Sequence, residues 1–160
     1  MVEVPLIGRR YNLDLYPRGI DKTCVVQALV DTGSSITVLA KSDLKVLYGK
    51  NLPWNLDEYF DTRCVHVMTD SYGANIVCVP FIIEGCMIEG MRIDRFYCVV
   101  PQVEKTHTIL GMDFISACNV AIRKGKELSI STFDNDAFED NFKKICFTAR
   151  MRRLDILHKV

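Results

Sequence analysis

Residues Ala28–Ala40 read ALVDTGSSITVLA, and the expected architecture of the whole chain follows from this stretch. The apolar run Val25–Val30 predicts a buried strand. It ends abruptly at Asp31-Thr32-Gly33, and apolar residues resume at Ile36. The pattern therefore places a carboxylate on a tight turn at the end of a buried strand. Asp and Gly are also ordinary turn residues, so the tripeptide alone leaves a plain turn open.

The composition is that of an ordinary globular domain. The chain has 160 residues, of which 49% are hydrophobic and 25% charged, and this length suits one domain with a single core. Twenty basic and twenty acidic side chains cancel, so the overall charge favours neither nucleic acid nor a membrane surface as a partner. No apolar run could span a bilayer, and the N-terminal residues MVEVPLIGRR lack a signal-peptide core. We expect a cytoplasmic protein.

Seven cysteines are spread along the chain, and their spacing bears on metals and disulfides. No two have the short separation of a zinc knuckle, and the three histidines are scattered, so we expect no metal site and no cofactor. Several cysteines lie in apolar runs, where a free thiol behaves as a small buried hydrophobe. Reduced thiols are favoured over disulfides, in agreement with a cytoplasmic location.

Short runs rich in β-branched and aromatic residues dominate the chain and predict strands. These runs are Val2–Ile7, Tyr11–Leu15, Cys24–Val30, Val65–Met68, Ile76–Ile83, Met91–Val100 and Val120–Ile122. Many short strands favour a β-sandwich or barrel over alternating strands and helices. Two short helices are predicted, over Lys41–Tyr48 and Gly111–Cys118.

The C-terminal residues have a different pattern. Asp134-Asn135-Asp136 offers a helix N-cap, and Phe138, Phe142, Ile145 and Ala149 are spaced to lie on one helix face. Acidic residues come first and basic residues extend to Arg153, which suits the helix dipole. A second interpretation stays open, because Lys143–Val160 holds six Lys or Arg against one Asp: an RNA-binding dimer that uses a basic tail.

A second stretch, Thr108–Ile115, reads TILGMDFI and lies about eighty residues after Asp31. By itself it is an apolar strand that enters a helix through Gly. Together the two stretches resemble the Asp-Thr-Gly segment and the Ile-Leu-Gly-x-Asp-Phe-Leu element of retropepsin-like aspartic proteases, the retroviral and retrotransposon type. The resemblance covers residues 1–132. It implies a mainly β fold, a closed barrel or sandwich with a flap hairpin and one or two short helices. Residues 133–160, which have no counterpart in the minimal retroviral protease, would form a helical extension.

The sequence departs from the retroviral pattern at two positions. Retroviral enzymes commonly carry an Asp two residues after Asp-Thr-Gly and an Arg after the later Gly, and these side chains pair. Ser35 and Met112 occupy those positions here. Both partners are absent together, so no unpaired buried charge is left. The departure resembles the retrotransposon branch of the family.

The resemblance implies an aspartic endopeptidase that acts as a symmetric homodimer. The chemistry needs two carboxylates that share a water, and the chain contains one Asp-Thr-Gly, so Asp31 of each protomer would supply one. The two carboxylates would release their protons in separate steps, as is established for aspartic proteases. Thr32 would hydrogen-bond across the pair, and Gly33 would let the backbone approach. Ser34 would donate to Asp31 and contact substrate, which predicts a pH optimum below about 6.5.

The expected substrate is an extended peptide, such as a polyprotein segment, paired as an added strand. The flap would be the hairpin Val65–Val79, with Tyr72 and Gly73 at its tip. The predicted substrate-binding residues are therefore Ser34, Tyr72, Gly73 and Ile109. The candidate apolar walls of the cleft are Val30, Ile76, Phe81 and Ile109. The alternative function is a catalytically silent, domesticated copy that serves as a homodimerisation or peptide-binding module.

Overall fold

The computed structural model describes residues 2–4, 11–17, 25–48, 66–69, 72–104, 107–122, 128–146 and 152–155. Most of these residues lie in strands, so the predicted mainly β fold is confirmed. The strands are β1 Val2–Val4, β2 Asn12–Pro17, β3 Val26–Val30, β4 His66–Thr69, β5 Asn75–Ile88, β6 Met91–Pro101, β7 Ile109–Leu110, β8 Cys118–Ile122, β9 Leu128–Phe133 and β10 Arg152–Asp155. The helices are α1 Lys41–Tyr48, α2 Met112–Ile115 and α3 Asn135–Ile145.

Strand β5 is the centre of the larger sheet. It pairs with β6 along one edge, and with β4, β10 and β2 in succession along the other. Strand β3 follows β2, and β7 follows β3 in parallel. The prediction ended this strand at Ile83, but it continues to Ile88 because Gly85 accommodates a φ of 78° inside it. A smaller sheet has the order β1-β9-β8.

The larger sheet is not closed by pairing between these strands, which corrects the prediction of a closed barrel. In the described part of the chain, β6 and β7 are not paired with each other. A single residue, Val38, spans them through a parallel bridge to Val99 and an antiparallel bridge to Ile109. The segment before Val38 is occupied by turn residues, so it cannot supply a full strand at this position.

Helix α3 explains why six consecutive residues of β6 are buried. A strand with one solvated face alternates between buried and exposed residues, whereas Phe96–Pro101 is buried throughout. The second face of β6 is covered by α3, whose Phe138 ring centre lies 5.9 Å from that of Phe96 and 5.6 Å from that of Tyr97. The helix therefore belongs to the main hydrophobic core. The division of the chain at residue 132 remains a prediction.

The C-terminal helix begins as predicted and ends earlier. The Asp134 carboxylate accepts hydrogen bonds from the backbone N–H groups of Asp136 and Ala137, which caps the helix. The helix ends at Ile145, and Cys146 has an extended backbone. Arg152–Asp155 then forms β10 beside residues 81–84 of β5, whose backbone groups need partners on that edge. The predicted continuation through Arg153 was therefore wrong.

Two further observations concern cysteines and membranes. Five cysteines lie among the described residues, and all five are free thiols: Cys78, Cys86, Cys98, Cys118 and Cys146. Cys24 and Cys64 lie outside the described residues. None of the helices that the structure describes is both long and apolar enough to cross a membrane.

Candidate active site

Asp31 stands at the end of β3, where the backbone is fixed from both sides. On one side, Val30 N–H donates to the carbonyl oxygen of Tyr11 over 2.9 Å. On the other, Leu29 N–H donates to Thr108 O over 2.9 Å and Asp31 N–H donates to Leu110 O over 3.1 Å. The buried strand predicted from the sequence therefore sets the position of Asp31 before its side chain makes any contact.

The Asp-Thr-Gly turn presents the Asp31 carboxylate near the protein surface. Asp31 is half-buried, whereas Thr32 and Gly33 are exposed. The backbone N–H of Gly33 donates to Asp31 Oδ1 over 2.9 Å, and Ser34 N–H closes the turn on Asp31 O. A Cβ atom on Gly33 would lie 3.1 Å from the same carboxylate oxygen, so a side chain at this position would require the carboxylate to shift by a few tenths of an ångström. The turn orients the carboxylate and leaves room beside it.

Ser34 does not make the predicted bond. Its hydroxyl donates to the carbonyl oxygen of Ile36 over 2.8 Å, so its proton is not directed at Asp31. The donor that Asp31 receives is the Gly33 N–H instead. Short loops favour such local bonds from a Ser hydroxyl to the backbone two residues on, and the prediction overlooked this competition.

The Thr108–Ile115 stretch lies directly behind the loop Asp31–Val38, which we call the active-site loop. A Cβ atom on Gly111 would lie 2.5 Å from the backbone oxygen of Ile36, so only Gly fits at this contact. Met112 N–H donates to Ser34 O over 2.8 Å, and Asp113 N–H donates to Ser35 O over 3.3 Å. The structure therefore brings the two predicted sequence stretches together.

A buried polar pair connects the same two segments, and the sequence analysis missed it. Thr37 Oγ1 accepts from Gly111 N–H over 3.2 Å and donates to Asp113 Oδ1 over 2.7 Å. Oδ1 also accepts from the Phe114 N–H. Burial raises the pKa of Asp113 to about 6. The sequence did contain a signal for this pair: each apolar run holds one polar residue, in Ile-Thr-Val and in Met-Asp-Phe. Because buried polar groups need hydrogen-bond partners, the two residues were candidates to bond with each other.

A second buried contact fixes the far end of the active-site loop. The Thr108 hydroxyl accepts from Ala40 N–H over 3.0 Å and donates to Asp43 Oδ2 over 2.6 Å. Asp43 lies in the first turn of α1, so this contact attaches the helix to β7. No feature of the sequence indicated that Asp43 and Thr108 would meet.

Strands β4 and β5 form the hairpin that was predicted as a flap. Thr69 is paired with Asn75, so the tip comprises the residues between them. Tyr72 is 94% exposed, and Gly73 has a φ of 80° that favours glycine. Asp70 and Ser71 lie outside the described residues. The hairpin is therefore present where predicted, with Tyr72 and Gly73 at its end.

The candidate wall residues differ in their exposure. Val30 and Ile109 are half-buried on the paired strands that lead into the site, and Ile76 is half-buried on the hairpin. Phe81 is fully buried in the core, which contradicts its assignment to a cleft wall. Among the residues that the structure describes, no three His, Cys, Asp or Glu side chains lie close enough to bind a metal ion.

These features define the fold of retropepsin-like aspartic proteases, with an Asp-Thr-Gly loop held against an Ile-Leu-Gly segment. The structure is similar to the crystal structure of a retropepsin-like aspartic protease from Rickettsia conorii, with a TM-score of 0.55 and 15% sequence identity. The match covers 81% of this chain and 88% of the Rickettsia chain. A scan against models of protein families found no match, and a search of curated proteins found none.

Proposed function

We propose that this protein is an aspartic endopeptidase of the retrotransposon type that acts as a symmetric homodimer. The observation that carries the proposal is the half-buried Asp31 carboxylate, oriented by Gly33 N–H at an exposed turn of a retropepsin-like fold. One protomer supplies one such carboxylate. A two-fold axis beside Thr32 and Gly33 would bring two copies together, and both residues are exposed in the single chain.

In the proposed reaction, the two Asp31 carboxylates share one water molecule. One carboxylate takes the proton of the water as it attacks the peptide carbonyl, and the other, which is protonated, donates to the carbonyl oxygen. One proton is shared because two adjacent carboxylates cannot both ionise cheaply. Thr32 would hydrogen-bond between the protomers and fix the two loops. The singly protonated pair is the form that can carry out both steps.

The proposed substrate is an extended peptide, because an extended strand fits between a hairpin and the active-site loop. The hairpin tip with Tyr72 and Gly73 would close over it, and Ser34 would contact it. Val30 and Ile109 would offer apolar contacts beside the scissile bond. Processing of a polyprotein is the biological role we propose.

The fit of an extended peptide depends on two features of the described chain. Strands β4 and β5 form a hairpin whose end is exposed, and the active-site loop leaves Gly33 exposed next to the carboxylate. A peptide strand between them could pair with backbone groups on either side, because an extended chain offers donors and acceptors on both edges. Alternate side chains would then face the apolar residues, which sets the preference for apolar peptides.

We also propose a cytoplasmic location, a homodimeric partner, and no role for nucleic acid or membranes. The described cysteines are free, and four of the five are buried, which suits a reducing compartment. Lys143 Nζ lies 2.6 Å from Glu139 Oε1 one turn earlier on α3, so this basic side chain forms an ion pair within the helix. An RNA-binding tail would instead give an affinity that falls steeply with salt and is lost on deletion of residues 143–160.

The decisive experiment compares the parent with Asp31→Asn on a mixed peptide library, with and without pepstatin. Asp140→Asn is the matched control, because it makes the same chemical change at an exposed position on α3. Cleavage by the parent and the control, blocked by pepstatin and lost in Asp31→Asn, would support the enzyme. If none of the three folded proteins cleaves any peptide, the alternative is favoured: a dimerisation or peptide-binding module without catalytic activity.

A further inference from the structure

Asp113 is attached at three different atoms to two parts of the protein. Its N–H donates to Ser35 O over 3.3 Å, and its Oδ1 accepts from Thr37 Oγ1 over 2.7 Å, so two contacts reach the active-site loop. Its carbonyl oxygen accepts from Asn141 Nδ2 on α3 over 3.2 Å. Asp113 therefore connects the loop that carries Asp31 to a helix in the core.

The two oxygens of the Asp113 carboxyl group have unequal surroundings. Oδ1 accepts from Thr37 and from Phe114 N–H, whereas no donor among the described residues reaches Oδ2. The residue is 2% exposed. An ionised carboxylate would thus carry charge on a buried oxygen without a donor, which is costly. A proton on Oδ2 removes that charge and leaves Oδ1 free to accept from Thr37.

None of the groups that face Asp113 titrates near neutral pH. From β6, Cys98 faces the carboxyl group, and burial raises the pKa of its thiol well above the ordinary value, so it stays protonated. The active-site loop contributes Ser35 and Thr37, and α3 contributes Asn141, none of which titrates. Any protonation change near neutral pH at this point of the described chain belongs to Asp113.

We propose that Asp113 is a positioning residue for the protease: through Thr37 it fixes the loop that bears Asp31, and it does so best when its carboxyl group is neutral. The inference rests on the proposed function. Asp113 itself does not touch substrate. Ionisation would draw water or a new donor towards Oδ2 and loosen the contact between the Gly111 segment and the loop.

The kinetic test compares the pH dependence of kcat for the parent and Asp113→Asn. Asn keeps an oxygen that can accept from Thr37 and cannot ionise. We expect the parent kcat to fall as pH rises through about 6, and the midpoint of this fall to move in the variant, with KM changing less than kcat. An unchanged midpoint in Asp113→Asn would overturn the inference.

A second pair of variants tests the route through Thr37. Thr37→Val removes the hydroxyl at nearly constant shape and should lower kcat about tenfold. Thr37→Ser keeps the hydroxyl and should restore most of that loss. Equal kcat values for Thr37→Val and the parent, with both proteins folded, would exclude Thr37 as the link.

An NMR titration separates this inference from the proposed function, because it needs no activity. The Gly111 N–H donates to Thr37 Oγ1, so its amide shift should titrate near pH 6 in the parent and not in Asp113→Asn. A titrating Gly111 amide in a protein that cleaves nothing would defeat the proposed function and leave the link between Asp113 and the loop. Cleavage with a flat Gly111 shift would defeat the link alone.

Discussion

Gly111 lies against the backbone of Ile36 so closely that a Cβ atom on Gly111 would be 2.5 Å from the Ile36 oxygen. This contact joins residues from the two stretches that identified the fold. It also explains why one of those stretches contains Gly at this point: the position is closed to side chains by backbone atoms, which cannot rotate away.

Replacing Gly111 by Ala should destabilise the protein by about 3 kcal/mol, since the backbone of one segment must shift. Gly73→Ala is the control: its positive φ is unfavourable for Ala, but nothing crowds the position, so the expected loss is about 1 kcal/mol. Urea denaturation monitored by circular dichroism measures both. A Gly111→Ala protein as stable as the Gly73→Ala protein would show that the contact is looser than described.

The aromatic side chains of α3 should contribute as much to the free energy of unfolding as those of the strands. Phe138 is fully buried, and its ring contacts those of Phe96, Tyr97, Phe114 and Phe133. Phe138→Ala should lower the free energy of unfolding by about 4 kcal/mol, as large cavities in cores do. Lys144→Ala, at an exposed position on the same helix, should change it by less than about 0.5 kcal/mol.

The stability of the protein should carry a pH dependence due to Asp113. Its pKa is about 6 in the folded state, above the value of about 3.9 expected in the unfolded chain. Between these values the folded state binds a proton that the unfolded state has released. The contribution of Asp113 to stability is therefore fully present below about pH 4 and is lost as pH rises through about 6.

Asp113→Asn should remove that dependence. The free energy of unfolding of the variant minus that of the parent should grow by up to about 3 kcal/mol between pH 4 and pH 7. Denaturant titrations at a series of pH values give this difference. Asp140→Asn is the control, because it makes the same chemical change at an exposed position on α3. A difference for Asp113→Asn that grows no more with pH than that of the control would contradict the shifted pKa of Asp113.

Mixed dimers offer a test of assembly. If the site needs Asp31 from each protomer, an excess of Asp31→Asn chains should inhibit the parent. At tenfold excess about nine tenths of parent chains would be in mixed dimers, so activity should fall roughly tenfold after subunit exchange. The same excess of Asp140→Asn should not inhibit. Full activity in the presence of excess Asp31→Asn would mean that one chain suffices.

The sequence predicted the elements whose patterns are local. Helix α1 has the predicted bounds, and the Asp134 cap was recognisable because capping depends on residues a few positions apart. The pairing of Asp31 with the Ile-Leu-Gly segment was accessible through resemblance, since no local rule connects residues about eighty positions apart. These predictions cover the scaffold of the site.

The sequence could not predict contacts that depend on tertiary position. The Thr37–Asp113 bond spans 76 residues, and the Thr108–Asp43 bond spans 65. The Ser34 hydroxyl had two available acceptors within a few residues, and loop geometry chose Ile36. The helix ended at Ile145 although its charge pattern continued, because the edge of β5 offered backbone partners to a strand.

Val38 gives the active-site loop a structural role in addition to its role in the candidate site. Its backbone exchanges hydrogen bonds of 2.9 and 2.7 Å with Ile109, and the adjacent Leu39 N–H donates to Val99 O over 3.0 Å. The half of the loop that follows Ser35 therefore ties the sheet together whether or not the protein cleaves anything. In a relative that had lost its Asp31, selection for folding alone would retain Ile-Thr-Val-Leu. The retained sequence Ile-Thr-Val-Leu would then indicate only a common fold, and the presence of Asp31 would be the feature that indicates activity.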